Sequence, residues 1–117
     1  MKKTVIITGG NKGIGLDISR VFAEAGYQVF VGARENTKPL EELGDNVHFI
    51  KTDVRLESDH QNLVKTALEK TGRLDTYINN AGFSAWRSIG NIDEDFLNNV
   101  LDTNLKGVFW GCKSALS

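Results

Sequence analysis

The chain has 117 residues, with 14 Lys+Arg against 15 Asp+Glu, two His, one Cys, 40% hydrophobic and 25% charged residues. That length and balance describe one compact domain able to bury roughly two thirds of its unfolded surface, and they exclude disorder, collagen-like repeats and coiled coil. A formal charge of −1 offers no clustered cationic footprint for nucleic acid or anionic lipid, and a lone Cys cannot close an intramolecular disulfide, so a reducing, cytoplasmic setting is expected.

No apolar run approaches the ~20 residues of a membrane span, and the Val-Ile-Ile run near the start is too short for the core of a signal peptide. Taken in chain order, Thr4–Thr8 (TVIIT) is β-branched and short, which predicts a strand buried on both faces. Glycines come next, and then Ile14, Ile18, Val21, Phe22 and Ala25 recur at helical spacing opposite Asp17, Arg20 and Glu24, up to a stop at Gly26. Residues 27–33 (YQVFVGA) repeat the strand signal. A polar stretch around Pro39 predicts a short helix ending near Gly44, and Val47–Lys51 a third strand.

Ser58 followed by Gln61 has capping-box spacing, which predicts a helix through Leu63, Val64, Ala67 and Leu68 to Gly72. Residues 74–79 read as a fourth strand and residues 82–91 as a loop. Asp93 is placed to cap a helix carrying Phe96, Leu97, Val100 and Leu101, and a further apolar stripe of Leu105, Val108, Phe109, Cys112 and Leu116 continues it. In that stripe Cys112 reads as a core residue. The alternation of strands and helices implies an α/β fold: a three-layer, doubly wound parallel sheet of Rossmann type, with ligands at the carboxyl ends of its strands. The residues directly after each strand therefore carry the functional signal.

After the first strand comes Thr8-Gly9-Gly10-Asn11-Lys12-Gly13-Ile14-Gly15. Glycines at a strand-to-helix turn let a diphosphate approach the backbone, and free N–H groups with the helix dipole attract the anion. The second strand ends in Gly32-Ala33-Arg34, where an NAD-binding domain would offer an acidic residue to the ribose hydroxyls. Arg34 can instead pair with a 2′-phosphate, joined by Lys12, which favours NADP(H); Glu35 keeps NAD(H) open. The third strand leads into Thr52-Asp53-Val54 and the fourth into Asn79-Asn80-Ala81-Gly82. His48 and His60 lie at no metal-ligand spacing and read as structural, with no metal expected.

The Thr8–Gly15 glycine loop, Asp53-Val54, the Asn79–Gly82 turn and Asn104-Leu105-Lys106-Gly107 resemble the short-chain dehydrogenase/reductase family in order and approximate spacing, across the whole chain. The resemblance implies cofactor contacts from Gly9, Asn11, Lys12, Gly13, Ile14 and Gly15 at the pyrophosphate, and from Arg34 at the 2′-phosphate. It implies Asp53 at the adenine amino group, Val54 near the ring, Asn79, Asn80, Ala81 and Gly82 beside the cofactor and the central strands, and Asn104 as the holder of a water for proton relay. Phe83 and Trp86 would begin the substrate cleft.

The family's proton donor is a tyrosine with a lysine four residues later, which lowers its pKa from ~10. Here Tyr27 is followed at that distance by Val31 and Tyr77 by Ala81, so neither fits. The resemblance thus implies a single NAD(P)-binding domain over residues 1–117, incomplete at its C-terminus after the fourth strand and long helix, and inactive as an isolated chain. A small carbonyl or alcohol substrate would need the rest of the fold. A non-catalytic dinucleotide-binding module, or a vestigial fragment that only self-associates, are the alternatives. An unpaired fourth strand and Gly107 and Gly111 inside the last helix predict close packing and a homo-oligomer.

Overall fold

A computed structural model describes every residue except Met1, Ser84, Trp86 and Ser117. Four strands, β1 (Thr4–Thr8), β2 (Gln28–Ala33), β3 (Val47–Lys51) and β4 (Thr76–Asn79), form one parallel sheet in the order β3-β2-β1-β4. The chain winds outward from β1 to β3 and then crosses back to place β4 on the other side of β1. The register sets Thr8 opposite both Gly32 and Asn79, so the loops leaving β1, β2 and β4 emerge at one level. This is the switch point of a doubly wound sheet.

The strand side chains alternate between two cores. Val5, Ile7, Val29 and Val31 face Leu16, Ile18 and Phe22 of α1 (Gly13–Glu24) and Leu40 of α2 (Lys38–Glu41). Ile6 and Phe30 face Leu63, Val64 and Ala67 of α3 (Glu57–Thr71). At ~1.5–3 kcal/mol for each large side chain removed from water, these two faces hold the three layers together. The short helix at Pro39 is present, capped by Thr37. Gly26 and Gly72 close their helices with φ of +88° and +77°, as the stop signals require.

Several expectations need correction. Ser58 is not a cap: α3 starts at Glu57 after Leu56, and the carboxylate in this first turn that matters is Asp59, which accepts from the Asp53 N–H at 2.8 Å. Ile14 and Val21 are 75% and 59% exposed, because α1 approaches the sheet over its small residues Gly15 and Ser19. The loop after β4 contains one short 3-10 turn, Ile89–Asn91.

Asp93 caps α4 (Glu94–Leu101) as expected, accepting from the Phe96 N–H at 2.8 Å. A π turn, Asp102–Lys106, then joins it to α5 (Gly107–Leu116). Here the apolar stripe is not the buried one. Gly107, Gly111 and Ser114 face inward, while Leu105, Phe109 and Leu116 are exposed and Cys112 is an exposed free cysteine whose Sγ accepts from Asn79 Nδ2 at 3.6 Å, rather than a core residue. The cause is proximity: a Cβ on Gly111 would overlap Asn79 Oδ1 and lie 3.0 Å from Tyr77, so the glycine lets the helix sit this close to β4 without displacing either side chain. No helix among the described residues is long and apolar enough to cross a membrane.

Candidate functional site

The strand ends open into a cavity of about 720 Å³. One wall is the turn after β1, where Gly9, Asn11, Lys12, Ile14 and Gly15 all reach the cavity. Gly15 is required for this wall: a Cβ there would overlap the Gly9 carbonyl oxygen. Ser19 fastens the turn from below, its hydroxyl within 2.9 Å of the carbonyls of both Gly10 and Gly15. The buried Asn11 does its work sideways, donating to the Glu35 carbonyl at 3.0 Å and accepting from Thr37 Oγ1 at 2.6 Å through its own carbonyl. It therefore ties the glycine turn to the loop after β2.

No side chain caps α1 at Lys12, and its first turn carries no carboxylate. The first N–H groups of a twelve-residue helix are thus left facing the cavity end, an arrangement that attracts an anion. Arg34 and Glu35 line the cavity after β2, with Arg34 Nη2 3.9 Å from Asp53 Oδ1.

Asn80, Ala81 and Gly82 form the wall after β4. Thr8 holds them: its hydroxyl oxygen accepts from the N–H groups of Asn80 and Ala81 at 3.1 and 3.2 Å, and Asn80 Nδ2 donates to the Gly9 carbonyl at 3.1 Å. The turns after β1 and β4 are in this way one hydrogen-bonded unit.

The last wall combines Val54 with Asn99 and Thr103 from the α4 and π-turn segment. Asp53 itself does not line the cavity. Its carboxylate is clasped by Arg55, with Nε and Nη2 at 3.0 and 2.8 Å, and this pairing pulls its pKa down to about 2. Arg55 Nη1 also reaches Asn99 Oδ1 at 3.4 Å. Gly13 likewise lies outside the lining; with φ of +58° it serves the turn.

Asn104 does not line the cavity, and both ends of its amide are committed to the backbone of Phe83. The neighbouring Thr103 does line it, and its buried hydroxyl has no hydrogen-bond partner among the described residues. Thr52, the first residue of the Thr52-Asp53-Val54 run after β3, also lines the cavity, whereas Asn99 and Thr103, four residues apart, carry no motif that marks them in the sequence, because nothing local shows which helix face meets the cavity. Phe83 lines the cavity, whereas Trp86 lies outside the described residues. Among the described residues no cluster of His, Cys, Asp and Glu could hold a metal ion.

A parallel doubly wound sheet with a glycine-walled cavity at its switch point defines a Rossmann-type α/β protein. The chain matches the short chain dehydrogenase family over residues 3–117, and it belongs to that family of oxidoreductases. Over 97% of its length it is 33% identical to a Bacillus subtilis (strain 168) protein described as uncharacterized oxidoreductase YxnA, of which it covers 34%. It is also 33% identical, over 97% of its length, to the 3-oxoacyl-(acyl-carrier-protein) reductase FabG of Chlamydia pneumoniae, of which it covers 48%. A solved Serratia marcescens short-chain dehydrogenase/reductase is similar with a TM-score of 0.89 at 27% identity, over 97% of this chain and 49% of that one. An actinorhodin polyketide ketoreductase solved with NADPH is similar with a TM-score of 0.89 at 31% identity, over 99% of this chain and 47% of that one. The chain thus spans between a third and a half of the length of these relatives.

Proposed function

We propose that this chain is the cofactor-binding part of an NADP(H)-dependent short-chain oxidoreductase. The observation that carries the reading is the uncapped, carboxylate-free start of α1 opening into a cavity whose wall requires glycine at position 15. The dinucleotide's pyrophosphate fits that helix start, with Gly9, Asn11, Lys12, Gly13, Ile14 and Gly15 around it and Asn11 and Gly13 shaping the turn. Arg34 and Lys12 supply cations for a 2′-phosphate, and the absence of an acidic residue at Ala33 or Arg34 disfavours NAD(H). Asp53 and Val54 belong to the adenine side, Asp53 through the loop it stabilises. Asn80, Ala81 and Gly82 close the opposite wall. The Thr103 hydroxyl, unpartnered among the described residues, suits a polar ligand atom.

When bound, the cofactor supplies or accepts hydride; these residues only hold and orient it. They provide no proton donor in the family's pattern. Tyr77 Oη is hydrogen-bonded to His60 and Tyr27 packs edge-on against Phe22, and neither tyrosine lines the cavity. The 117 residues on their own therefore carry out no turnover, and reduction of a small carbonyl compound, or oxidation of an alcohol, belongs to a protein that adds the Tyr-x-x-x-Lys pair.

A second copy is the partner proposed for the outward face of the π turn and α5, where Leu105, Phe109 and Leu116 are exposed, with β4 at the edge of the sheet. A single exposed thiol fits a reducing, cytoplasmic setting. Titration with NADPH, followed by nucleotide fluorescence, tests the central reading. Saturation in the range of tens of micromolar or tighter is expected, and no binding there rejects it.

A further inference from the structure

Below the cavity, on the side of the sheet covered by α3 and α5, two titratable rings meet in the core. His60 of α3 is fully buried, with Nδ1 2.6 Å from the Tyr77 hydroxyl and Nε2 2.8 Å from the Val54 carbonyl oxygen. A carbonyl oxygen can only accept, so the ring proton sits on Nε2, and Nδ1 must then accept from the Tyr77 O–H. No other arrangement of protons satisfies both contacts of a neutral ring. The Val54 carbonyl is also met by α5: a Cβ on Gly107 would lie 3.0 Å from it. Val54 itself lines the cavity.

We propose that His60 is a positioning residue for the cofactor, its ring oriented by Tyr77 so that it anchors the Val54 peptide and sets that wall of the cavity. This role rests on the dinucleotide reading of the cavity. An apolar residue among Leu63, Val64 and Ala67 would fill the same space; a buried imidazole is useful here because it can hold a backbone carbonyl in one place. Burial lowers the pKa of His60 and raises that of Tyr77, so both stay neutral near pH 7 and the relay of hydrogen bonds keeps one direction. Asp59 on its own helix and Asp53 in the loop act on the ring in the opposite sense, more weakly than burial. On α5, Cys112 acts on Tyr77.

The test combines NADPH titration with the imidazole nitrogen spectrum of the wild-type chain, His60→Gln and His60→Leu. The wild type is expected to show the neutral Nε2–H tautomer without cofactor. His60→Leu, folded by circular dichroism, is expected to bind NADPH about tenfold more weakly, while His60→Gln, which keeps an N–H donor towards Val54, recovers most of the affinity. An Nδ1–H tautomer, wild-type affinity in His60→Leu, or no recovery in His60→Gln overturns the role. Should His60→Leu fail to fold, Tyr77→Phe decides: a changed imidazole spectrum with weaker NADPH binding supports the role, and an unchanged affinity overturns it. A wild-type chain with the Nε2–H tautomer that binds no NADPH overturns the cofactor reading itself, which separates that failure from a failure of the His60 anchor.

Discussion

The Asn104 amide holds both backbone polar groups of Phe83, accepting from its N–H at 2.7 Å and donating to its carbonyl at 2.7 Å. A π turn and the loop after β4 are fastened by this one side chain across 21 residues of sequence. Replacing it by Leu removes both bonds, at about 1 kcal/mol each. The Asn104→Leu chain is expected to lose hydrogen-exchange protection at the Phe83 amide while the amides of β1 keep theirs. Equal protection in both chains would show that the clasp is dispensable.

Gly15→Ala drives a methyl group into a backbone oxygen, an overlap that no rotamer change relieves. A loss of more than about 2 kcal/mol in stability and of NADPH binding is expected. Gly90→Ala, whose Cβ would meet nothing within 4 Å, is the control and should melt like the wild type.

Arg34 is largely exposed and only loosely paired with Asp53, leaving it free to meet a phosphate. Arg34→Ala is expected to weaken NADPH about tenfold and NADH by less than about twofold. Equal losses for the two nucleotides would remove Arg34 from the 2′-phosphate site.

Asp53, held at about 2 by Arg55 against a starting value of 3.8, prefers its charged form in the folded chain. Its contribution to stability is therefore full above pH 4 and is lost as pH falls from there towards 2. Arg55→Ala should return the carboxyl towards 3.8 and flatten the acid limb of the stability curve. A carbon-detected titration of the Asp53 carboxyl reads this directly.

Burial lowers the pKa of both His60 and His48 below that of an ordinary histidine, with Lys70 adding to the effect on His48. Since the unfolded chain takes up protons first, stability is full above pH 6.5 and declines as pH falls below it. His60→Gln is expected to remove part of that slope between pH 6.5 and 5, measured as the unfolding midpoint in urea. An unaltered slope would mean that the ring is not buried neutral.

The strands, their order along the chain and the turn residues after each of them were legible because each is a local signal. A β-branched run, a glycine cluster or the Asp93 cap needs only its immediate neighbours. Ser58 was misleading for the same reason: capping-box spacing is local, but the first turn of α3 is organised by Asp53 and Asp59 across a loop. The Arg55, Asp53 and Asn99 cluster joins residues 44 apart and had no local trace.

The sequence alone thus determined the parallel α/β fold, the glycine turn at α1 and the missing Tyr-x-x-x-Lys pair, since composition, period and spacing are properties of the chain itself. Only the tertiary structure decided which face of α5 is buried. Hydrophobic periodicity favoured the stripe through Phe109 and Cys112, but α5 turns Gly107 to the Val54 carbonyl and Gly111 to Asn79 and Tyr77 of β4 and buries Ser114, and close approach of the helix outweighed the burial of larger side chains. It also decided that His60 and Tyr77, 17 residues apart, meet beneath Val54, because that contact depends on how α3 lies across the sheet.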